Sequence, residues 1–525
     1  MFKTRSASVS GWKAHEAGGE NLFWGQFFIF YKESSSNSNM VQTGGIVDDT
    51  ASANSSAAKL PSIDPQSKAI DDNFTNLVKI HRQDIGLLPI EGAAMNDCAL
   101  DATPSPHPTP AYYQLNDADR RLISELRNRL RDHLPKSYDT DFNLYRWLKS
   151  ADRTSRQEGN VELAEKLLHN HLKFRKALKL DEIEIPNWET NPMFSRRYLP
   201  RGHLYYMPSN NRFLWWVDYS TIDVAGIMNS VTSTDMLIWH FWKYEIMLRM
   251  VNEVEERTRA LSGVHMVMDV RDYDMNPFSL MLTTNGGMTY YAQLIHYEHY
   301  PELTCPVNVI NVAKWLMLPY RLIRTVMPKD FNERIRVSDS NFLNTLLQDI
   351  AENELPRSLG GKNDDIKETV KAEKLDPSGY YERRQHEEEP ASDQISQIQV
   401  AARKRKMIAV DCKSGSKLKW WFRTDADVYF GIFFLPEDKT KENVKKLSKK
   451  KDILDTMEMV HPFFRLLTKI IPERGEHICQ QSGTYYLVFC NRGSWVYRRN
   501  IQVKIDIDDH TYERKRVLER SLSIH

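Results

Sequence analysis

The chain carries no excess charge: 71 Lys and Arg face 70 Asp and Glu, a net +1 over 525 residues. So balanced a sequence has no overall field to draw it onto nucleic acid, and attraction to any charged surface must come from local patches. Cysteine is scarce. The five present (Cys98, Cys305, Cys412, Cys479, Cys490) are scattered and form no C-x-x-C pair, which points to free thiols in a reducing compartment. Cys479 and Cys490 would pair only in a secreted protein. No run reaches the ~18–20 apolar residues of a membrane span. The best candidate, Asn21 to Tyr31, is shorter and contains Gln26. No small-residue cleavage site follows it directly, so it reads as a sticky disordered segment or an atypical start.

Catalytic signatures are missing as well. There is no G-x-S-x-G turn, no H-E-x-x-H, and Leu359-Gly-Gly-Lys362 is too short for a Walker A loop. His296 and His299 share a helix face but lack a third ligand nearby, so packing or surface histidines are expected and no metal. Asp269, Asp272 and Asp274 close a strand where α/β ligands usually bind. A turn or helix cap is the favoured reading of that cluster. The chain is expected not to be an enzyme.

A chain this long calls for two or three domains. Residues 1–110 are expected to be disordered, with a Ser/Asn/Gly/Ala-rich stretch from Ser34 to Ala58 and a proline linker from Thr103 to Pro110. Phe74, Leu77, Val78 and Ile80 form a modest amphipathic piece, either a short docking helix or nothing. Residues 111–182 read as three helices. Asn116 caps the first with Asp119 three residues on, ahead of an apolar stripe of Leu122, Ile123, Leu126, Leu130 and Leu134. Another starts at Asp141, and a third runs from Val161 to Leu178.

Residues 183–361 alternate between strand and helix: Phe213–Val217, a helix through Leu237, Phe241, Tyr244, Leu248 and Val251, then Val264–Val270. A helix capped at Asn276-Pro277 reaches about Tyr297, strands follow at Val307–Val312 and Ile335–Val337, and Leu343–Ile350 closes the unit. That order predicts a mostly parallel sheet with right-handed crossovers. Residues 362–393 form a charged linker. Across 394–510 period-two alternation (Ile408–Cys412, Leu418–Phe422, Val428–Phe434, Tyr485–Phe489, Ile501–Ile505) predicts an antiparallel β-sandwich, with a lysine-rich insertion at Lys439–Lys451. Residues 511–525 are a basic, helix-prone tail. The fold class is α/β plus all-β.

The stretch from Pro306 to Val337 is unusual. Trp315, Leu316, Met317, Leu318, Tyr320, Leu322, Ile323, Val326 and Met327 recur at helical spacing, interrupted by Pro319 and stopped by Pro328. So apolar a helix is either packed on all sides or covers something greasy. Thirteen of the nineteen methionines lie between Met193 and Met327. Methionine adapts to irregular space, so with Trp215, Trp216, Trp239, Phe241, Trp242 and Trp315 these residues make either a pocket or a methionine-rich core.

From Tyr138 to Gly361 the chain resembles the CRAL-TRIO lipid-transfer family, through YDTDFNLYRWLKSA, MVMDVRDYD, HYPELT and LLQDIAENELPRSLGG in that order. From Ile395 to Ile507 it resembles a GOLD domain, a β-sandwich appended to one CRAL-TRIO subfamily, that of the tocopherol-associated and supernatant protein factors. The resemblance implies an N-terminal helical bundle, a lipid pocket and a mobile lid helix at Lys314–Met327. The pocket and lid would use Trp215, Trp239, Met266, Met268, Trp315, Leu316, Tyr320, Leu322, Ile323, Arg324 and Met327. No cofactor is implied beyond a bound lipid.

Arg324 stands where phosphoinositide-binding relatives place a lid lysine. The other headgroup positions fall near Ala292, Val264, Met266 and Ala151 or Asp152, so phosphatidylinositol is not expected. A sterol, squalene-like lipid, tocopherol or phosphatidylcholine fits better. The expected partners are this hydrophobic lipid, a transient membrane surface and a membrane-trafficking protein bound through the GOLD domain, with no nucleic acid. The protein would be a cytoplasmic monomer, peripherally associated with Golgi or endosomal membranes. The rival reading is an adaptor that has lost its ligand. Basic runs at Arg403–Lys406, Lys441–Lys451 and Arg514–Arg516 are solvated loops or contacts to anionic lipid.

Overall fold

The computed structural model describes residues 113–182, 200, 202–223, 226–227, 229–271, 295–314, 317, 334–369, 371–383, 389–437, 452–508 and 521–522. The N-terminal region, the helix expected from Asn276 as far as residue 294, the apolar segment 315–333 apart from Met317, the lysine-rich insertion and most of the tail lie outside them.

Three helices open the described chain: α1 (Asp117–Arg129), α2 (Asp141–Ser155) and α3 (Val161–Leu178). The Asn116 side chain accepts the Asp119 N–H at 2.9 Å and the Asp119 carboxylate accepts the Asn116 N–H at 3.1 Å, closing the expected capping box. Thr140 and Asn160 cap the other two. The helices pack on one another through Ile123, Leu126, Leu144, Trp147, Ala164 and Leu168, all buried.

The sheet that follows has the order β1 (His203–Met207), β2 (Arg212–Asp218), β3 (Val264–Asp269), β4 (Thr304–Ile310) and β5 (Ile335–Val337). β1, which alternation did not reveal, pairs antiparallel with β2, because a link this short permits only a hairpin. The rest run parallel. The helix α4 (Ser233–Thr258) bridges β2 and β3. One face buries Trp215, Val217, Met266, Met268 and Val309 in the main core. The other buries Leu214, Trp216, Val267 and Ile310 under Leu346, Ile350, Leu355 and Leu359. The closing helix α5 (Leu343–Leu346) is shorter than expected. Beyond it Asn210 Nδ2 donates to the Asp349 carbonyl and Arg336 pairs with the Asp349 carboxylate, which hold the chain in turns.

Residues 362–393 are not a free linker. The Ala372 N–H donates to Thr221 Oγ1 (2.8 Å), Leu375 N–H to Asp223 Oδ2 (3.0 Å) and Tyr381 N–H to the Asn229 carbonyl (2.6 Å). Leu375 and Tyr381 are buried, so the segment is strapped onto the body.

The C-terminal part holds two antiparallel sheets, β10-β9-β12-β7-β14 and β11-β8-β13-β6. Their strands are β6 (Ser396–Val400), β7 (Arg405–Cys412), β8 (Lys417–Thr424), β9 (Val428–Pro436), β10 (Glu458–Leu466), β11 (Glu473–Ile478), β12 (Gly483–Cys490), β13 (Arg499–Asp508) and β14 (Ser521–Leu522). The sheets meet where Phe422 of β8 packs on Phe430 of β9 and Phe489 of β12, at 4.6 and 5.1 Å between ring centroids. β14 corrects the expectation for the tail: these two residues are strand, not helix, and pair with Met407 and Ile408 on what would otherwise be an open sheet edge. Cys305, Cys412, Cys479 and Cys490 are free thiols. Cys479 hydrogen-bonds with Cys412, not Cys490, and that bond holds its thiol below the usual range. No helix among the described residues is long and apolar enough to cross a membrane.

Candidate functional site

In a strand alternate side chains share a face, so the register of the sheet decides which candidate residues meet. Trp215, Met266 and Val307 are in register across β2, β3 and β4. Val217, Met268, Val309 and Val337 form the next row, reaching β5. Trp239, from the first turns of α4, belongs to the same core. The structure thus sets Trp215, Met266 and Met268 side by side on one sheet face, with Trp239 in the same core on α4. Trp315, Leu316, Tyr320, Leu322, Ile323, Arg324 and Met327 lie outside the described residues.

Packing along this floor is uneven. Trp215 and Trp239 are 1% and 0% exposed. The Lys243 ammonium, itself buried, sits 4.7 Å from the centre of the Trp215 ring and 4.8 Å from that of Tyr244, a cation–π arrangement that offsets part of its desolvation. Every residue of β3 is buried, whereas Val307 in β4, all three residues of β5 and Met317 are only partly covered. The apolar face is therefore fully buried along β3 and only partly covered toward β4 and β5. Pattern reasoning overlooked Val307 and Val337 as floor residues, although their alternation with Asn308 and Arg336 was the signal that could have found them.

A cleft of about 230 Å³ lies elsewhere, between α3 and α4, lined by Tyr138, Arg175, Asp181, Glu245, Arg249 and Asn252 among others. It is smaller than the roughly 300–1,000 Å³ of most ligand pockets, and its walls are polar. Arg175 pairs there with Glu245 and with Asp181 (2.6 Å), while the Tyr300 hydroxyl donates to Glu245 at 2.8 Å. These contacts join the helices to the sheet layer.

The titratable groups singled out from sequence are engaged structurally. Asp269 is fully buried: it accepts the Arg271 N–H and guanidinium and the Asn311 amide at 2.7 to 2.9 Å. It is a turn, as expected; Asp272 and Asp274 lie outside the described residues. His299 Nδ1 lies 3.3 Å from His171 Nδ1, and His296 hydrogen-bonds Thr304. Burial drives His296 and His299 down to about 3, so both are neutral packing groups. No cluster of three metal-ligating side chains occurs among the described residues. Of the positions compared with a phosphoinositide headgroup site, Ala151, Val264 and Met266 are buried. Asp152 accepts the N–H groups of Gly159 and Asn160 at 2.8 and 3.3 Å.

The two halves meet at one end of α4. Ser233 Oγ donates to the Leu467 carbonyl at 2.8 Å, the Thr234 N–H donates to Glu473, and Phe464 packs on Phe174 and Phe241. Lys173–Asp455 and Lys176–Glu458 ion pairs rim the contact.

Comparison with known proteins fits this layout. Residues 203–361 match the family model for the CRAL/TRIO domain, starting at β1 and ending at Gly361. Residues 115–183, the three helices, match a domain of unknown function, DUF8435. Residues 381–516 match an F28H7.8-like, C-terminal domain. Among curated proteins, the CRAL-TRIO domain-containing protein F28H7.8 of Caenorhabditis elegans is 25% identical over 386 residues, 73% of this chain and 88% of that one. The CRAL-TRIO domain-containing protein C34C12.6 of the same organism is 22% identical over 353 residues, 61% and 83% of the two. Of solved structures, Sfh5 matches 52% of this chain and 99% of its own at 13% identity, with a TM-score of 0.31, too loose to argue from. The chain therefore carries a CRAL-TRIO domain and is homologous to CRAL-TRIO proteins well beyond that domain.

Proposed function

We propose that this is a lipid-binding and lipid-transfer protein, not an enzyme, holding one hydrophobic lipid between the sheet floor and the helix at Lys314–Met327. One observation carries the reading. Within a matched CRAL-TRIO domain, the apolar rows end on the partly covered Val307 and Val337, in the two strands that flank the most apolar segment in sequence. Removing a lipid chain into water costs roughly 0.8 kcal/mol per CH₂, so a carrier must present equal apolar surface and then close over it. A helix that swings at a membrane surface and shuts in solution meets both needs. The cargo is a sterol, a squalene-like lipid, a tocopherol or phosphatidylcholine, because the compared headgroup positions are apolar or already engaged. The two C-terminal sheets serve as a GOLD-type module for membrane or protein association, and the protein works as a cytoplasmic monomer visiting Golgi or endosomal membranes.

An adaptor without cargo is the second reading, and the lost headgroup residues favour it. Lipids extracted from protein purified from eukaryotic cells, identified by mass spectrometry, separate the two. One dominant lipid, absent from a Trp315→Arg, Leu322→Arg variant, supports the carrier. A clean, empty wild-type protein overturns it.

A further inference from the structure

Of six large hydrophobic side chains exposed among the described residues, three are consecutive: Trp495 (60%), Val496 (76%) and Tyr497 (66%), in the loop between β12 and β13. Soluble proteins scatter such residues singly. This loop is also built to keep its shape. Asn491, 2% exposed, donates its side-chain amide to the carbonyls of Val400 (3.1 Å) and Tyr497 (2.8 Å). Its backbone N–H donates to the Lys404 carbonyl at 2.8 Å, and its carbonyl accepts from Arg403 and Ser494. The Tyr497 N–H donates to Ser494 Oγ at 3.0 Å. One buried side chain thus staples the apolar triplet to the neighbouring turn between β6 and β7, and the triplet is held outward.

Both stapled turns are basic. Arg403, Lys404, Arg492 and Arg498 are exposed, and none of them makes an ion pair among the described residues. The carboxylates nearby are taken: Asp427 by Arg465 and Arg499, Asp452 by Arg405. The Arg403 guanidinium lies 4.2 Å from the centre of the Trp495 ring, so charge and apolar surface form one patch.

We infer that this corner, Trp495 to Tyr497 ringed by Arg403, Lys404, Arg492 and Arg498, is a docking surface for an anionic lipid bilayer. The triplet enters the headgroup layer and the cations meet lipid phosphates and carboxylates. Trp and Tyr are the side chains that settle at that depth, with an apolar body and a polar handle. Val496, the most exposed of the three, gains only from an apolar boundary. The cations around them have no carboxylate partner among the described residues, although Arg403 donates to the Arg492 carbonyl, Arg498 donates to Gln399, and the Arg492 guanidinium lies 4.0 Å from the centre of the Tyr429 ring. Their charge adds attraction that anionic lipid supplies and salt weakens. The inference rests on the carrier reading, which requires visits to a membrane.

The test uses the full chain with phosphatidylcholine vesicles, with and without phosphatidylserine, read by co-sedimentation, and extracts bound lipid from the same preparations. Binding to the phosphatidylserine vesicles is expected to fall about tenfold or more in Trp495→Ser, Val496→Ser, Tyr497→Ser and in Arg403→Glu, Arg492→Glu, and to weaken as salt rises. Ile478→Ser, an exposed apolar residue on β11, serves as the control and should change nothing. Unchanged melting temperatures establish that the variants fold. Equal binding by the triple variant, or by vesicles lacking phosphatidylserine, overturns the inference. Lipid-loaded protein that ignores anionic vesicles also overturns it while leaving the carrier reading standing. Empty protein that still docks through the loop supports the surface and removes the carrier.

Discussion

Glu473 of β11 accepts the backbone N–H of Thr234 in the first turn of α4 at 3.0 Å, across the junction between the two halves of the molecule. An acidic group at a helix N-terminus complements unpaired N–H groups there. Glu473 is buried, however, and burial pushes its carboxyl up to about 7, against the opposing effect of the Thr234 hydrogen bond. Asp235, close by, pushes the same way as burial.

A raised carboxyl makes the docked state favour the protonated form. Its contribution is complete below the ordinary value of 4.5 and is lost as pH rises through about 7. Glu473→Gln keeps an acceptor for Thr234 and removes the titration. The variant should be more stable than wild type at pH 8 by on the order of 3 kcal/mol, and equal to it near pH 4. Denaturant unfolding at the two pH values checks this; an unchanged pH slope refutes it.

Arg146 of α2 holds Glu255 of α4 with its two terminal guanidinium nitrogens, at 2.5 and 3.3 Å, and both groups are buried. Arg146→Met strands the carboxylate, since the Ser262 N–H at 2.8 Å is a poor substitute for a cation. We expect a loss of about 3–5 kcal/mol, with most of it restored by adding Glu255→Leu. Melting curves of the single and double variants decide whether the restoration occurs.

Val307 lies on the partly covered side of the floor, in register with Met266. Val307→Trp should fill the space the proposed cargo would occupy, lowering extracted lipid at least about fivefold with a loss of stability no greater than the ~1–3 kcal/mol of an overpacked site. Fully retained lipid would place the cargo elsewhere.

Phosphatidylinositol should not be taken up. Asp152 already satisfies two backbone N–H groups, and Val264 and Met266 bury apolar surface at positions compared with a headgroup site. Incubation with phosphatidylinositol-containing liposomes, followed by re-isolation and lipid mass spectrometry, should return protein with no more of this lipid than a heat-inactivated control. Clear enrichment would mean the headgroup is held by residues outside those compared.

Sequence carried much of this fold where a local rule was strong. The Asn116–Asp119 capping box and the span Val161–Leu178 are visible because caps and a 3.6-residue stripe are local. So are the buried runs at Phe213–Val217 and Val264–Asp269. What stayed hidden depends on distant partners. β11 reads Glu-Arg-Gly-Glu-His-Ile, too polar to look like a strand, and exists because β8 offers it a full register of partners. β10 contains Pro462 and two register shifts, which break the alternation that would reveal it. β14 is only two residues long and takes its identity from the edge of β7. Of the candidate site, the sequence offered Trp215, Met266 and Met268 only as members of a methionine- and tryptophan-rich stretch; the register of β2 and β3 is what sets them on one face. The gradient of burial across β3, β4 and β5 was not, because it depends on what each strand packs against.

A flexible tether of ~20 residues would let its two ends wander roughly 25 Å apart. The strap pinned at Thr221, Asp223 and Asn229 removes that freedom. With Glu473 and Phe464 also contacting α4, the halves are joined through several contacts and not by a free tether. If the aromatic corner docks on a bilayer as proposed, that docking would also set which way the CRAL-TRIO domain faces, with no second search by a loosely tied domain.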